Sequence, residues 1–155
     1  MNPSVNEAAL YAQKYIEDLL SFFGLNTDVN SSIDDEVIQL SVPSTHMNGF
    51  LIGQNGENMR SIQYLTTMAL KNKNFEHIRV NLDIADYKKH RADRLKEKAT
   101  IWVKEVKEKN TIMDLEPMNS ADRRIIHQLA AEYGLSSDSV GEGRDRHIVL
   151  KKIAD

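Results

Sequence analysis

Hydrophobic and polar positions repeat along this chain with two different periods, and each change of period marks an element. Ala9, Ala12, Ile16, Leu19, Leu20 and Phe23 recur at helical spacing, after a Ser4-Val5-Asn6-Glu7 capping box and before Gly24. Residues 27–33 read as a weak edge strand, turned at Asp34-Asp35 into a second strand, Val37-Ile38-Gln39-Leu40-Ser41-Val42. Past Pro43, residues 45–52 form one or two helical turns, and Met59, Ile62, Leu65, Thr66 and Ala69 define a helix from Gly56 to about Asn72. Over residues 78–84, Ile78, Val80, Leu82 and Ile84 share one face while Arg79, Asn81 and Asp83 share the other. The first 84 residues therefore run α-β-β-α-α-β.

A long helix is then predicted from Asp86, as N-cap, to about Asn110, with Ala92, Leu95, Ala99, Trp102 and Val106 on its apolar stripe. Its other faces carry Lys88, Lys89, Arg91, Arg94, Lys96, Lys98, Lys104, Lys107 and Lys109, a pattern equally explained by a solvated surface. Trp102 lies on the stripe and reads as core. A short strand at 111–115 and a turn through Pro117 lead to a helix capped by Asn119, with Asp122 in its first turn and Ile126, Leu129, Ala130 and Tyr133 on its buried face. Gly134 ends it, and two strands near 137–140 and 147–153 are joined by Gly141-Glu142-Gly143-Arg144-Asp145. The fold class is α+β in two small domains, residues 1–85 and 86–155. The basic helix belongs with the second, because the strands after Thr111 are too few to build a core without it.

Composition narrows the setting. Of 155 residues, 41% are hydrophobic and 28% charged, as in soluble globular proteins and unlike disordered ones. No apolar stretch approaches a membrane span and the start Met1-Asn2-Pro3-Ser4 lacks signal-peptide features, so membrane insertion is not expected and the location is read as cytoplasmic. The absence of cysteine excludes disulfides and thiolate metal sites. A net charge of −3 argues mildly against a nucleic-acid partner, but its distribution is uneven. Residues 1–50 hold one basic and seven acidic residues, whereas residues 85–110 hold nine basic and five acidic.

Two clusters carry candidate chemistry. Gly53-Gln54-Asn55-Gly56 interrupts an apolar run just before a helix, and glycines without Cβ atoms let the backbone approach a ligand while the helix N-terminus offers N–H groups to an anion. Arg60, one turn into that helix, is placed to add a phosphate contact. The plain alternative is a helix-turn-helix corner with no ligand. The second cluster is Arg123 and His127, four apart and therefore adjacent on one helix face, with Arg144 and Arg146 on the glycine-rich hairpin. If His127 meets phosphate as a cation, binding tightens as pH falls; otherwise it is a neutral, hydrogen-bonded edge residue. A metal-dependent nuclease using His90, Asp93, His127 or His147 is disfavoured, since no ligand cluster, triad or Walker-type loop accompanies them.

The order strand, helix, GxxG, helix, strand over residues 4–84 resembles a type II KH domain. Leu115-Glu116-Pro117-Met118-Asn119, Arg123-x-x-x-His127, and Ser139-x-Gly141-x-Gly143 with Arg146 resemble the R-three-H domain, a small single-stranded nucleic-acid-binding module. The tandem, with Gln63-Tyr64-Leu65 after the Ile-Gly-x-x-Gly, resembles the bacterial Jag family, also called KhpB or EloR. That resemblance implies a non-enzymatic single-stranded RNA-binding protein, with no cofactor or metal, linked to cell elongation and division. Single-stranded DNA is a second strand chemistry, and the partners implied are a small KH-only protein or a further copy of the chain. Its binding residues here would be Gly53, Gln54, Asn55, Gly56, Arg60, Arg123, His127, Arg144 and Arg146. Two departures stand out. Gln54 and Asn55 are neutral where such loops often carry Lys or Arg, and the extra N-terminal domain usual in the family does not precede the first helix here. The rival function is a protein-protein interaction module whose KH loop no longer binds RNA.

Overall fold

A computed structural model describes residues 4–75 and 77–153. The chain divides into two compact units, Met1–Lys88 and Lys89–Asp155, each a mixed α+β structure around its own core.

In the first unit, helix α1 (Val5–Phe22) starts at a complete capping box, with Glu7 N–H donating to Ser4 Oγ (3.2 Å) and Ser4 N–H donating to Glu7 Oε2 (2.8 Å). Ala8, Ala9, Ala12, Ile16 and Leu20 form its buried face. Phe23, expected on that face, is exposed because the helix has ended and the chain turns there. Val29 is buried but lies before the ladder. Its N–H donates to Glu17 Oε1 of α1 at 3.0 Å, so strand β1 (Asn30–Asp34) begins three residues later than the pattern suggests. Strand β2 (Val37–Val42) pairs antiparallel with β1, in register Asp34↔Val37. The loop between them is Asp35-Glu36, one residue later than expected, with φ of 44° and 61°. Two central residues at positive φ are what a tight hairpin requires.

Helix α2 (Asn48–Ile52) follows a turn in which Thr45 N–H donates to Asn48 Oδ1, so only the second half of the 45–52 segment is helical. Helix α3 (Glu57–Asn72) buries Met59, Ile62, Thr66 and Leu70. Leu65, expected in this stripe, is 46% exposed, whereas Leu70 is 1% exposed, placing the buried face about one residue round from the expected one. Strand β3 (Arg79–Ile84) joins β2 in parallel, and Val80, Leu82 and Ile84 go into the core as their alternation dictates. The sheet order is β1-β2-β3, with β3 at an edge.

Helix α4 (Tyr87–Lys109) begins at the end of the first unit, and the rest of it lies in the second. Asp86 does not cap it. It sits at φ 53°, and Asp83 Oδ1 accepts the first-turn N–H of Lys88 instead (3.2 Å). In the second unit α4 buries Ala99, Val103 and Val106. Trp102, expected in the core, is only partly buried against it, and Val103 takes the central position. Strand β4 (Met113–Asp114), helix α5 (Ser120–Glu132) and strands β5 (Leu135–Val140) and β6 (His147–Lys152) complete the unit, as an antiparallel sheet in the order β4-β6-β5. Ile126 and Ala130 of α5 pack with Leu115, Leu135, Ile148 and Leu150.

The position of the α3 face has a direct test in chemical denaturation. Leu70→Ala is expected to cost about 2–5 kcal/mol of unfolding free energy, as for buried leucines in general. Leu65→Ala should stay within about 0.5 kcal/mol. Equal losses would place Leu65 in the core after all.

Candidate nucleic-acid interface

The loop from Gly53 to Gly56 is held by three constraints. Gly53 has φ 70° and Gly56 φ 79°, backbone that favours glycine. A Cβ on Gly53 would lie 2.7 Å from Asn58 Cγ, and one on Gly56 would lie 2.9 Å from Tyr87 Cε1, so neither position has room for a side chain. Asn58 Nδ2 donates to the Phe50 carbonyl at 2.6 Å, tying α3 back to α2 across the loop. Asn55 adopts φ 52°, which asparagine tolerates better than most residues, and Gln54–Gly56 form a single 3-10 turn. No side chain caps the start of α3, although Glu57 brings a carboxylate to its first turn. Arg60 reaches back rather than out: its Nη1 donates to the Asn55 carbonyl at 2.9 Å, from an exposed position.

Beyond the loop, α3 continues an exposed stripe that the motif spacing alone does not reveal. Glu57, Arg60, Ser61, Tyr64 and Leu65 line one shallow depression. Thr67 and Lys71 of α3, with His77, Ile78, Arg79 and Val80 at the start of β3, line a cleft of about 620 Å³. Arg60, Tyr64, Thr67 and Lys71 follow one another at intervals of three and four, so a single helix face links loop and cleft. Extending that spacing past Arg60 is the signal that finds Tyr64 and Lys71, and Arg79 follows from its place at the start of β3.

In the second unit the arrangement is built around the start of α5. Asn119 Oδ1 accepts the Asp122 N–H (2.9 Å), and Asn119 Nδ2 donates to Asp122 Oδ2 (3.0 Å). The same Asp122 oxygen receives Arg91 Nη2 of α4 at 2.7 Å. Arg91, expected among the cations off the apolar stripe, is therefore an anchor; it stands four residues before Leu95, at the margin of that stripe, and that spacing is the available signal. Arg123 Nη1 donates to the Met118 carbonyl (2.7 Å), Met118 N–H to the Arg146 carbonyl (3.1 Å), and Arg146 Nε to Ser139 Oγ (2.9 Å). His127 Nδ1 lies 2.7 Å from Ser137 Oγ. Arg123 and His127 of α5 are thus each fixed by a separate anchor, and Arg146 belongs to the same chain of bonds as Arg123. Arg144 is exposed in the 3-10 turn Gly143–Asp145 and has no side-chain partner among the described residues. Ser137 and Ser139 follow buried Leu135 at intervals of two and so share its inner face of β5, a placement legible from period 2.

The residues considered for a nuclease do not gather. His127 is engaged by Ser137, while His147 bonds the Asp145 carbonyl through Nδ1 and has Nε2 3.7 Å from Asp114 Oδ1. Among the described residues no three His, Cys, Asp or Glu side chains form a group able to hold a metal, and no helix is long and apolar enough to cross a membrane.

Comparison with known proteins assigns the class to the second unit first: the family model described as the R-three-H domain matches residues 93–152. At the level of particular proteins, the chain is 28% identical over 141 residues to RNA-binding protein KhpB of Clostridium symbiosum, covering 90% of this chain and 64% of that protein. It is 30% identical over 146 residues to RNA-binding protein KhpB of Lactiplantibacillus plantarum, covering 93% of this chain and 44% of that one. A short segment of 35 residues, 23% of this chain and 4% of the relative, is 49% identical to DNA-binding protein SMUBP-2 of Mesocricetus auratus. The chain thus spans 64% and 44% of the lengths of the two KhpB relatives.

The loop geometry predicts contrasting effects of two glycine substitutions. Gly56→Ala meets both positive φ and the Tyr87 ring, and is expected to lower unfolding free energy by more than about 1 kcal/mol. Gly49→Ala, within α2 and with open space around its Cβ, should be neutral or slightly stabilising. Thermal unfolding of the two variants reads the difference.

Proposed function

We propose that this protein is a non-enzymatic binder of single-stranded RNA, formed by a type II KH-like domain over residues 1–85 and an R-three-H domain over residues 86–155. The observation that carries the reading is the Arg123–His127 face of α5, within the segment matched by the family model and backed by the bonds to Met118 and Ser137. A phosphate oxygen on that face meets a guanidinium whose other nitrogens remain available, an imidazole edge, and Arg144 and Arg146 from the hairpin.

For the first unit, support comes from the αββααβ order, from β2 and β3 running parallel beside antiparallel β1, and from the glycine loop between α2 and α3. The Gly53-Gln54-Asn55-Gly56 backbone would hold the sugar-phosphate path of about four nucleotides. Bases would then enter the cleft at the β3 edge, where Lys71 and Arg79 supply charge and Ile78 and Val80 an apolar floor. Arg60 acts first by bracing Asn55 and then through its remaining N–H groups. Both KhpB relatives are named RNA-binding, which favours RNA over DNA for this chain. The same reading makes the protein a cytoplasmic member of the Jag family, a regulator of cell elongation and division that works with a small KH-only partner or another copy of itself.

A second reading, an interaction module that has lost RNA, draws on one feature: the loop carries no cation, and Phe50, Tyr64 and Leu65 stand exposed beside it. Filter binding with mixed short RNA and DNA strands separates the two, since the module would retain neither.

Two sets of variants locate binding. Replacing Gln54 and Asn55 with Asp puts two negative charges on the phosphate path and is expected to weaken RNA binding without unfolding, while Gln54→Lys should strengthen it. Parental affinity in both would reduce the loop to a corner. Arg123→Ala with His127→Ala should weaken binding with little regard to base sequence. The log–log dependence of affinity on salt should flatten by about 0.7 for every phosphate that the double variant no longer neutralises. Lower stability with unchanged affinity in that double variant would remove the pair from the interface.

A further inference from the structure

The His127 side chain has one hydrogen bond among the described residues, the 2.7 Å contact between Nδ1 and Ser137 Oγ, and which partner gives the proton can be argued from the surroundings. A serine hydroxyl has one proton to donate and two lone pairs to accept with. Ser137 is half-buried on the inner face of β5, between Leu135 and Ser139, and paired in register with buried Leu150. Its hydroxyl has no other partner among the described residues, so His127 Nδ1 is the acceptor available for its proton. Were Nδ1 protonated, it would donate to Ser137 Oγ, and the serine O–H would then have no protein acceptor among the described residues. His147 has the opposite arrangement: its Nδ1 faces the Asp145 carbonyl, which can only accept, so Nδ1 carries the proton and Nε2 faces Asp114.

We propose that Ser137 is a positioning residue that holds the neutral His127 imidazole with its proton on Nε2, so that the ring offers an N–H donor to a phosphate oxygen without being charged. The inference rests on the RNA-binding reading and says how the site works at neutral pH. Charge at the site is supplied by arginines. Arg123 and Arg124 stand on α5 one turn before His127, and Arg146 stands just before β6 against Ser139. Asp138 lies on the other face of β5 and pairs with Lys151 at 2.6 Å, so that carboxylate points away from the ring. From α4, Arg91 is bound to Asp122, and Lys107 to the Tyr133 carbonyl. Arg123 and Arg124 thus share the turn of α5 before the ring, and beside them a neutral N–H donor adds a directed bond without adding like charge.

The pH dependence has a definite sign. Above the titration of the imidazole, only one ring nitrogen carries a proton, and Ser137 decides which one and holds the ring to present it. Below it both nitrogens carry protons, so an Nε2–H is present whatever Nδ1 meets. The part of Ser137's contribution to affinity that comes from choosing the tautomer is therefore present at high pH and lost as pH falls, while its Oγ can still accept from Nδ1–H.

The test compares the parent, Ser137→Ala and Ser137→Thr, using the full chain and a mixed short single-stranded RNA. Measurements are made at about pH 8 and about pH 5.5, spanning the range over which histidine side chains change charge. Ser137→Ala is expected to weaken binding about threefold at the higher pH, the scale of one ordinary hydrogen bond, and to weaken it less at the lower. Ser137→Thr, which keeps the hydroxyl, should restore the parental value. Nitrogen-15 shifts of the His127 ring in the free parent at the higher pH should show protonation at Nε2, with a mixture of tautomers in Ser137→Ala. An Nδ1–H tautomer in the parent, or a Ser137→Ala loss equal at both pH values, overturns the proposal. Absence of RNA binding by the parent overturns the functional reading, while the ring nitrogens still decide the role of Ser137.

Discussion

The second unit depends on one largely buried carboxylate. Asp122 is 9% exposed, and a charge so placed is costly unless it is paired and hydrogen-bonded. Arg91 and the Asn119 amide satisfy it, and the Asn119 oxygen in turn receives the Asp122 N–H. Three elements are fixed together by this group: α4 through Arg91, the Met118-Asn119 turn, and the first turn of α5. Because helix geometry then sets everything downstream, Arg123 is delivered beside the Met118 carbonyl and His127 beside Ser137, with no freedom left to choose another face.

In the first unit the corresponding constraint is steric. The close approach of Asn58 and Tyr87 to the two glycines sets the exit of α2 and the entry of α3. Once α3 is placed by Met59, Ile62, Thr66 and Leu70 against the sheet, its outward stripe follows from the same helical period. An exposed stripe of this kind is the complement of a buried one: Arg60, Tyr64 and Lys71 face outward because the core positions between them face in.

That complementarity also explains what the sequence made legible. The capping box at Ser4, the alternation of Val80, Leu82 and Ile84, and the cap at Asn119 are local signals whose outcome depends on neighbours three or four positions away, and each forms in the structure. The spacing of Arg123 and His127 likewise required only that the segment be helical, and α5 carries both. Where expectation and structure differ, several partners compete for one role. Asp83 and Asp86 could each cap α4, and the chain reversal at Ala85-Asp86, both at positive φ, leaves Asp83 within reach. Leu65 and Leu70 could each anchor α3, and only packing against α1 and β3 decides. The anchors of the arginine-histidine face, Met118, Ser137, Ser139 and Arg91, come from positions far apart in sequence, which no local spacing connects.

Net charge illustrates the same separation between totals and places. A chain of net charge −3 looks unsuited to an anionic strand, yet at physiological salt screening confines each exposed charge to about 8 Å, so the local inventory governs. On α4 four cations are already engaged: Lys88 with Asn81, Arg91 with Asp122, Lys107 with the Tyr133 carbonyl and Lys109 with Glu105. For Lys88, partial burial lowers the pKa from lysine's usual 10.5, against the opposing pull of Asp83. Lys89, Arg94, Lys96, Lys98 and Lys104 are exposed and have no ion pair among the described residues. The helix thus divides its cations: four are engaged within the protein, while five stay exposed, where on the proposed function they would attract a phosphate backbone without reading its bases. On the proposed function, affinity would then draw on α4 as well as α5, and the bases would be distinguished elsewhere, in the cleft beside β3.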